Sequence, residues 1–243
     1  MPRVLLLGGT TEAARMARAL AEAGVDAVYS YAGRTEAPVV QPLPVRIGGF
    51  GGVEGLAEYL RAEGISHLID ATHPFAAQMS RNAVEASAVT GIPLIALERE
   101  PWRAGQGDRW THVADLKGAV AVLGDAPRRV FLAIGRQNLS AFTGAPQHHY
   151  LLRLVDPPTD PLPLPRAEAV IARGPFTLEG DRALLRDQRI DVIVAKNSGG
   201  AGAEAKLVAA RELGLPAILI DRPVVPDRRI ARSVAEVMAW LSA

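Results

Sequence analysis

Short runs of apolar residues alternate along the chain with longer stretches in which apolar residues recur at helical spacing. The runs are continuously apolar, as expected of strands that are buried on both faces of a parallel sheet. The pattern predicts strands at residues 4–7, 27–30, 67–69, 93–97, 130–134, 150–154, 167–171, 192–195 and 217–220. It predicts helices at residues 12–23, 53–63, 75–90, 115–123, 177–186 and 202–213.

The rhythm of strands and helices breaks once, at residues 98–108, which carry Arg, Gly, Pro and Trp. We therefore predict an α/β protein of two Rossmann-like domains, with mainly parallel sheets and a cleft between them. The predicted domains are residues 1–98 and residues 99–243. A segment with five prolines, residues 156–165, should form a stiff, extended surface connection.

Composition narrows the possible functions. The 243 residues include no cysteine, which excludes disulfides, thiolate metal sites and cysteine nucleophiles. The net charge of +1 provides no global field to attract a nucleic acid or an anionic membrane, and no apolar stretch is long enough to span a bilayer. We expect a cytoplasmic monomer or homodimer without a metal site, a nucleic-acid partner or a membrane partner.

A glycine-rich turn follows the first predicted strand and precedes an Ala-rich helix, at Gly8, Gly9, Thr10 and Thr11. Such a turn presents backbone N–H groups and the positive end of a helix to a pyrophosphate. The spacing departs from the usual G-x-G-x-x-G, since Thr occupies the third position and Ala the sixth. The alternative is a simple strand-to-helix connection with a threonine N-cap.

The end of the second strand, residues 29–35, carries Ser30, Gly33, Arg34 and Thr35 and no carboxylate. An acidic residue here would accept the ribose 2′-hydroxyl of NAD, whereas a guanidinium and hydroxyl groups suit the 2′-phosphate of NADP. The pattern therefore favours NADP. A solvated loop charge is the alternative interpretation of Arg34.

Two further segments of the first half carry candidate ligand-binding residues. Residues 48–52 contain four glycines, including Gly49 and Gly51, a density that predicts a backbone passing close to a ligand. Asp70, Thr72 and His73 follow a buried strand, where ligands bind in such sheets. His73 is a candidate proton donor, although a lone histidine is more often structural.

Two strand ends of the second half carry cations beside small residues. Arg136 and Lys196 could hold carboxylates, and Lys196 opens the sequence Lys-Asn-Ser-Gly-Gly. That sequence lacks the order of a nucleoside triphosphate-binding loop, and an ordinary capped loop is the alternative. The chain also lacks the Tyr-x-x-x-Lys, G-x-S-x-G and H-E-x-x-H motifs of other enzyme classes.

Taken in order, these loops resemble the motif series of the precorrin-6A reductase family, NADPH-dependent enzymes of cobalamin biosynthesis. The resemblance spans nearly the whole chain and rests on residues 8–13, 32–35, 48–52, 70–76, 98–102 and 196–200. It implies that the first domain binds NADPH and the second a tetrapyrrole. It also implies hydride transfer to C19 of precorrin-6A, which gives precorrin-6B.

The resemblance assigns purposes to the candidate residues. The macrocycle's acetate and propionate groups would pair with Arg99, Arg136 and Lys196, beside Asn197 and Ser198. His73 and Lys196 are the candidates for a catalytic acid. Three alternatives stay open: a noncatalytic NADP-binding sensor, a reductase of another small ketone or imine, and a reductase of the cobalt-containing analogue.

Overall fold

The computed structural model describes residues 2–33, 39–158 and 160–243. The chain divides into two compact units. The first unit comprises Met1–Glu100 together with Val224–Ala243, and the second comprises Pro101–Pro223. Each unit is a six-stranded parallel sheet with helices, so the predicted α/β class with two Rossmann-like sheets is confirmed.

The first unit has its sheet in the order β12-β5-β4-β1-β2-β3. Its strands are β1 (Arg3–Leu7), β2 (Asp26–Tyr31), β3 (Val45–Ile47), β4 (His67–Asp70), β5 (Leu94–Leu97) and β12 (Arg229–Ala231). Its helices are α1 (Thr11–Glu22), α2 (Val53–Ala62), α3 (Ala77–Thr90) and α7 (Val234–Leu241).

Two apolar clusters cover the opposite faces of this first sheet. On one face, Val4 and Leu6 of β1 pack with Met16 and Leu20 of α1 and with Val237 of α7. On the other, residues of β1 and β4 pack with α2 and α3, among them Leu5, Leu7, Leu56, Leu60, Leu68 and Ala83. Because β1 is followed by a helix on one face and β4 by a helix on the other, the connections change direction between these two strands.

The sheet of the second unit has a matching arrangement, in the order β6-β11-β10-β7-β8-β9. Here β7 to β11 take the positions of β1 to β5, and β6 takes the position of β12. Its strands are β6 (Trp110–Val113), β7 (Arg129–Ala133), β8 (His149–Leu154), β9 (Ala167–Ile171), β10 (Val192–Lys196) and β11 (Ala217–Ile220). Its α-helices are α4 (Leu116–Leu123), α5 (Leu178–Asp187) and α6 (Ala205–Glu212), and 3-10 helices span Arg136–Phe142 and Ala201–Ala203. The proline-rich segment joins β8 to β9, and its described residues form no helix.

The predicted division at residue 98 has to be corrected at the C-terminus. Residues 224–243 were expected in the second domain, but they complete the first unit. There β12 pairs in parallel with β5, with Arg229 opposite Ile95, and α7 buries Val237 fully against α1 and the sheet. The sixth strand of the first sheet therefore follows the second unit in the chain. The sixth strand of the second sheet, β6, is the first element of that unit.

The helices are short. The 14 residues of α3 fall below the roughly 20 that a membrane-spanning helix needs. Within the described residues, no helix is both long and apolar enough to cross a lipid bilayer.

His148, before β8, has no solvent-exposed surface and lies 5.9 Å from the Tyr150 ring, centroid to centroid. Burial lowers the pKa of His148 below its ordinary value, so the folded protein holds this imidazole neutral. The unfolded chain takes up the proton as the pH falls below about 6.5. The contribution of His148 to stability is therefore complete above that pH and is lost as the pH falls towards the lowered pKa.

We expect the free energy of unfolding to fall more steeply between about pH 7.5 and about pH 5.5 in the wild-type protein than in His148→Phe, which keeps a ring but cannot titrate. Urea denaturation at a series of pH values measures both slopes. Equal slopes in the two proteins would contradict this role for His148.

Candidate functional site

The carboxyl edge of the first sheet brings several of the predicted binding residues to one place. The turn after β1 and the segment after β4 are adjacent, because these strands pair with Leu7 opposite Asp70. β2 lies on the other side of β1, with Ser30 opposite Leu7. In open parallel sheets, ligands bind at this edge where the connections change direction, and here that point is between β1 and β4.

Gly8 is required by a neighbouring side chain. Its N–H donates to Ser30 O at 3.0 Å, which extends the pairing of β1 with β2. A Cβ at this position would lie 2.1 Å from Cζ of Tyr29, whose side chain is 1% exposed. Of the two glycines, only Gly9, with φ +111°, lies in the left-handed region. The Tyr29 ring explains Gly8, and backbone conformation explains Gly9.

The Tyr29 hydroxyl holds the turn from inside the unit. Its oxygen accepts the N–H of Gly9 at 2.8 Å. Burial raises the pKa of Tyr29 far above its ordinary value, with a smaller contribution from Tyr31, so the phenol stays protonated. The N–H of Gly9 is therefore engaged within the protein. A phosphate at this turn would use the N–H groups that follow it.

Thr10 has a structural role that the sequence analysis placed among the alternatives. Its hydroxyl accepts the N–H of Ala13 at 3.0 Å as the N-cap of α1, and it donates to Ala71 O at 2.8 Å. The hydroxyl's one hydrogen and one of its two lone pairs are therefore engaged within the unit, and a contact of Thr10 with a cofactor stays a prediction. The cap leaves the N–H groups of Thr11 and Glu12 at the start of α1 without an intrahelical partner.

Arg46 organises the ends of β2 and β3, and the sequence analysis missed it. Its guanidinium donates to the hydroxyl of Ser30 at 3.1 Å, so this predicted cofactor ligand, 4% exposed, is already engaged. Gly33 has φ +74°, and a Cβ added to it would lie 3.4 Å from Cγ2 of Ile47. Arg34 and Thr35 lie outside the described residues.

The glycine-rich loop at residues 48–52 is also built around Arg46. The guanidinium donates to Gly48 O at 2.6 Å and to Gly49 O at 2.8 Å, and it lies 3.7 Å from the centre of the Phe50 ring. Gly51 adopts φ +81°. Several of these glycines thus form a loop that wraps around the Arg46 guanidinium and whose carbonyls accept its hydrogen bonds. Contacts of Gly49 and Gly51 with a ligand stay a prediction.

Asp70 ends β4 and is 3% exposed. Its Oδ1 accepts the N–H of Thr72 at 3.1 Å and the Thr72 hydroxyl at 2.7 Å. Its Oδ2 is buried without a hydrogen-bond partner among the residues that the structure describes. Since buried carboxylate oxygens are normally satisfied, this atom indicates a missing partner.

His73 follows this segment. Its Nδ1 accepts the N–H of Phe75 at 3.2 Å, which places the proton of the neutral ring on Nε2. To act as an imidazolium acid, His73 would have to protonate Nδ1 and give up this hydrogen bond. The contact makes His73 a weaker candidate for the catalytic acid.

Arg99 belongs to the first unit and not, as predicted, to the second. It forms an ion pair with Glu12 of α1 at 2.7 Å, and both side chains are about one-fifth exposed. Glu98 beside it pairs with Arg228 at 3.0 Å. A shallow depression at this edge is lined by Thr10, Glu12, Thr72, Pro74, Leu97, Glu98 and Arg99.

In the second unit, the segment after β10 has two different roles. Lys196, the last residue of β10, is half-buried, and its substrate contact stays a prediction. The amide of Asn197 is buried and pairs with the backbone of Trp102, since Oδ1 accepts its N–H at 2.8 Å and Nδ2 donates to its carbonyl at 3.2 Å. A contact of this side chain with substrate stays a prediction. The amide secures Trp102, which packs into the core.

Two further predicted substrate residues of this unit have protein partners. Ser198 is 8% exposed, and its carbonyl accepts from Arg222 at 3.0 Å. Arg136 begins a 3-10 helix and pairs with Asp160 at 3.2 Å on the surface. An exposed pair of this kind is weakly held, so a ligand carboxylate can replace it at little cost. The described residues contain no cluster of acidic or histidine side chains able to hold a metal ion.

Comparison with known proteins identifies the family. The family model described as precorrin-6x reductase CbiJ/CobK matches residues 3–242. The chain belongs to the precorrin-6x reductase family. A precorrin-6A reductase of Rhodobacter capsulatus is 69% identical over 242 residues, which cover 100% of this chain and 96% of that protein. The family resemblance and the reductase assignment of the sequence analysis are confirmed.

Other relatives extend this result. A precorrin-6A reductase of Mycobacterium tuberculosis is 44% identical, with coverage of 100% of this chain and 98% of the relative. A cobalt-precorrin-6A reductase of Priestia megaterium is 32% identical, with coverage of 97% and 96%. A solved structure named CobK precorrin-6A reductase superposes on this chain with a TM-score of 0.96 at 68% sequence identity. The superposition covers 100% of this chain and 96% of the chain in that structure. Membership of a reductase family implies a nicotinamide cofactor.

The packing of Tyr29 against Gly8 predicts the effect of a single methyl group. Gly8→Ala forces the buried ring and the strand ends apart, and we expect it to lower the free energy of unfolding by about 1–3 kcal/mol. Gly144→Ala is the matched control, because a Cβ there meets nothing within 4 Å. Urea denaturation compares the two variants. Equal midpoints would contradict the proposed packing constraint.

Proposed function

We propose that this chain catalyses the NADPH-dependent reduction of precorrin-6A to precorrin-6B in cobalamin biosynthesis. The match of the family model to residues 3–242 carries this proposal. Two relatives, at 69% and 55% identity, are precorrin-6A reductases. The cobalt-precorrin reductases compared lie at 32% identity and below, which favours the cobalt-free substrate.

The proposed cofactor site is the carboxyl edge of the first sheet. Two observations support it: the N–H groups of Thr11 and Glu12 stand at the start of α1, and the buried Oδ2 of Asp70 lacks a partner among the described residues. Glu12 would repel a pyrophosphate, but its ion pair with Arg99 offsets that charge. The backbone of this helix start would hold the pyrophosphate, and Arg99 would keep the local charge balanced.

The preference for NADPH over NADH is proposed from the ends of β2 and β3. Arg34 and Thr35 supply the cation and hydroxyl in the sequence, although they lie outside the described residues. Arg46 adds a second guanidinium, 3.1 Å from the Ser30 hydroxyl. The guanidinium of Arg46 at this strand end, with that of Arg34 in the sequence that follows β2, suits a 2′-phosphate better than a free 2′-hydroxyl.

When bound, NADPH supplies a hydride from C4 of its nicotinamide ring. The reaction consumes precorrin-6A, NADPH and one proton, and it yields precorrin-6B and NADP⁺. The hydride adds to C19 of the macrocycle, and the proton comes from water or from a side chain. Because the conjugated macrocycle is already electrophilic, the protein's main tasks are to align the reactants and exclude water.

We assign the binding of substrate carboxylates to Arg136 and Lys196, whose positive charges suit acetate and propionate groups. If a side chain donates the proton, Lys196 is the stronger candidate, since the Nδ1 of His73 already accepts from Phe75. Lys196 can donate directly from its ammonium group.

The proposal predicts NADPH oxidation that depends on precorrin-6A. Purified protein is mixed with NADPH and precorrin-6A, and the loss of NADPH absorbance is followed beside a substrate-free control. We expect a rate well above the control, a lower rate with NADH, and a lower rate with the cobalt-containing analogue. Formation of precorrin-6B confirms the product.

Absence of oxidation above the control with either tetrapyrrole would overturn the proposed reaction. Tight NADPH binding without oxidation would instead indicate a noncatalytic NADP-binding sensor. Faster turnover of the cobalt-containing analogue would replace the proposed substrate while leaving the reaction type intact.

A further inference from the structure

The carboxylate of Asp70 has an unusual environment, because its two oxygens are buried but only one of them is hydrogen-bonded within the described ranges. The side chain is 3% exposed, and Thr72 secures Oδ1 through two hydrogen bonds, to its N–H and its hydroxyl. Both bonds reach the same oxygen, which fixes the orientation of the carboxylate. The other oxygen, Oδ2, is buried and has no hydrogen-bond partner in the described part of the chain.

A charge in this position is costly unless something compensates it. Removing a carboxylate from water is unfavourable, and the cost is normally offset by an ion pair or by hydrogen bonds to both oxygens. The neighbouring carboxylates follow that rule: Glu12 pairs with Arg99 at 2.7 Å, and Glu98 pairs with Arg228 at 3.0 Å. Among the described residues, no ion pair within 4.0 Å is found for Asp70. Its negative charge is thus balanced by hydrogen bonds to one oxygen alone.

The position of Asp70 relates this charge to the proposed cofactor site. Asp70 lies opposite Leu7, the residue before the Gly8-Gly9 turn, and the following carbonyl, that of Ala71, accepts from the Thr10 hydroxyl at 2.8 Å. It therefore stands at the point where the sheet connections change direction. Dinucleotides bind across such a point with one half on each side of it, so the half beyond the pyrophosphate would lie over β4, β5 and β12.

We infer that Asp70 selects between the two redox states of the cofactor by charge, favouring the positively charged oxidised nicotinamide over the neutral reduced ring. This inference rests on the proposed function. NADPH and NADP⁺ have nearly the same shape and differ at the ring by one positive charge. A fixed carboxylate in a site of low dielectric attracts the oxidised ring and leaves the reduced ring almost unaffected.

This role contributes to the reaction. As the C4–H bond of NADPH breaks and its electron pair moves with the hydrogen to the macrocycle, positive charge develops on the nicotinamide ring. An anion that is already oriented stabilises that charge without reorganising during the step. Thr72 is then a positioning residue, because it holds the carboxylate in its orientation.

The test compares the dissociation constants of NADP⁺ and NADPH in the wild-type protein and in Asp70→Asn. The amide keeps an oxygen for the two Thr72 bonds and removes the charge. We expect the variant to bind NADP⁺ at least about tenfold more weakly, equivalent to about 1.4 kcal/mol, and NADPH within about twofold of the wild type. Isothermal titration calorimetry measures both constants without turnover.

Glu98→Gln is the matched control. It removes a carboxylate from the same edge whose charge is already paired with Arg228, so we expect a smaller change in the ratio of the two constants. The hydride-transfer rate in a single turnover should fall in Asp70→Asn together with the NADP⁺ affinity. Should Asp70→Asn fail to fold, Asp70→Ser, also neutral, is measured in the same way.

An unchanged ratio, equal weakening of both nucleotides, or an equal shift of the ratio in Glu98→Gln would overturn the role of Asp70. A wild-type protein that binds neither nucleotide would overturn the proposed cofactor and this role with it. Nucleotide binding with no effect of Asp70→Asn on the ratio would overturn this role alone.

Discussion

The contact between Tyr29 and the Gly8-Gly9 turn is the constraint on which the proposed cofactor edge depends. The ring leaves no room for a side chain at Gly8, and the hydroxyl holds the N–H of Gly9. Because Tyr29 lies on β2, it connects the second strand to the end of the first. The turn then delivers Thr10 to its position as the cap of α1 and its bond to Ala71 after β4. Three strand ends are thus held together by two side chains.

Much of the fold was predictable from local pattern, because buried parallel strands are continuously apolar and their crossover helices are amphipathic. The strands that complete each sheet, β12 in the first unit and β6 in the second, were not predictable in this way. β12 and β6 lack the continuous apolar run of the predicted strands, since only one residue of each is buried, Ala231 and Val113. Nothing local to β12 indicates that it pairs with β5 across more than 100 intervening residues. Assigning the C-terminal segment to its nearest neighbours in sequence therefore failed.

The candidate site was predictable at the level of loops and less so at the level of atoms. Glycine-rich turns and polar strand ends were found because chain geometry places them at one edge. Thr10 and Asn197 were taken for ligand contacts, yet their side chains are used by Ala71 and Trp102, and partners so distant in sequence leave no local signal. Arg46 was missed for the same reason. Its role depends on a fold that brings Ser30 and the following glycine loop around one guanidinium.

The two units share an order of strand positions but differ at equivalent sites. β4 and β10 occupy the same position in their two sheets. β4 ends in Asp70 and β10 ends in Lys196, so opposite charges occupy matching positions. β1 leads through Gly9 into α1, whereas its counterpart β7 leads through Gly135 into a 3-10 helix. A regular α-helix start suits a pyrophosphate, and a lysine suits a carboxylate-rich substrate. This difference underlies the assignment of cofactor to the first unit.

An experimental structure of the protein with bound NADP⁺ tests that assignment most directly. We expect the pyrophosphate to lie against the N–H groups of Thr11 and Glu12, with the N–H of Gly9 still bonded to the hydroxyl of Tyr29. A pyrophosphate seated instead on the second unit, against the segment after β7 or after β10, would contradict it.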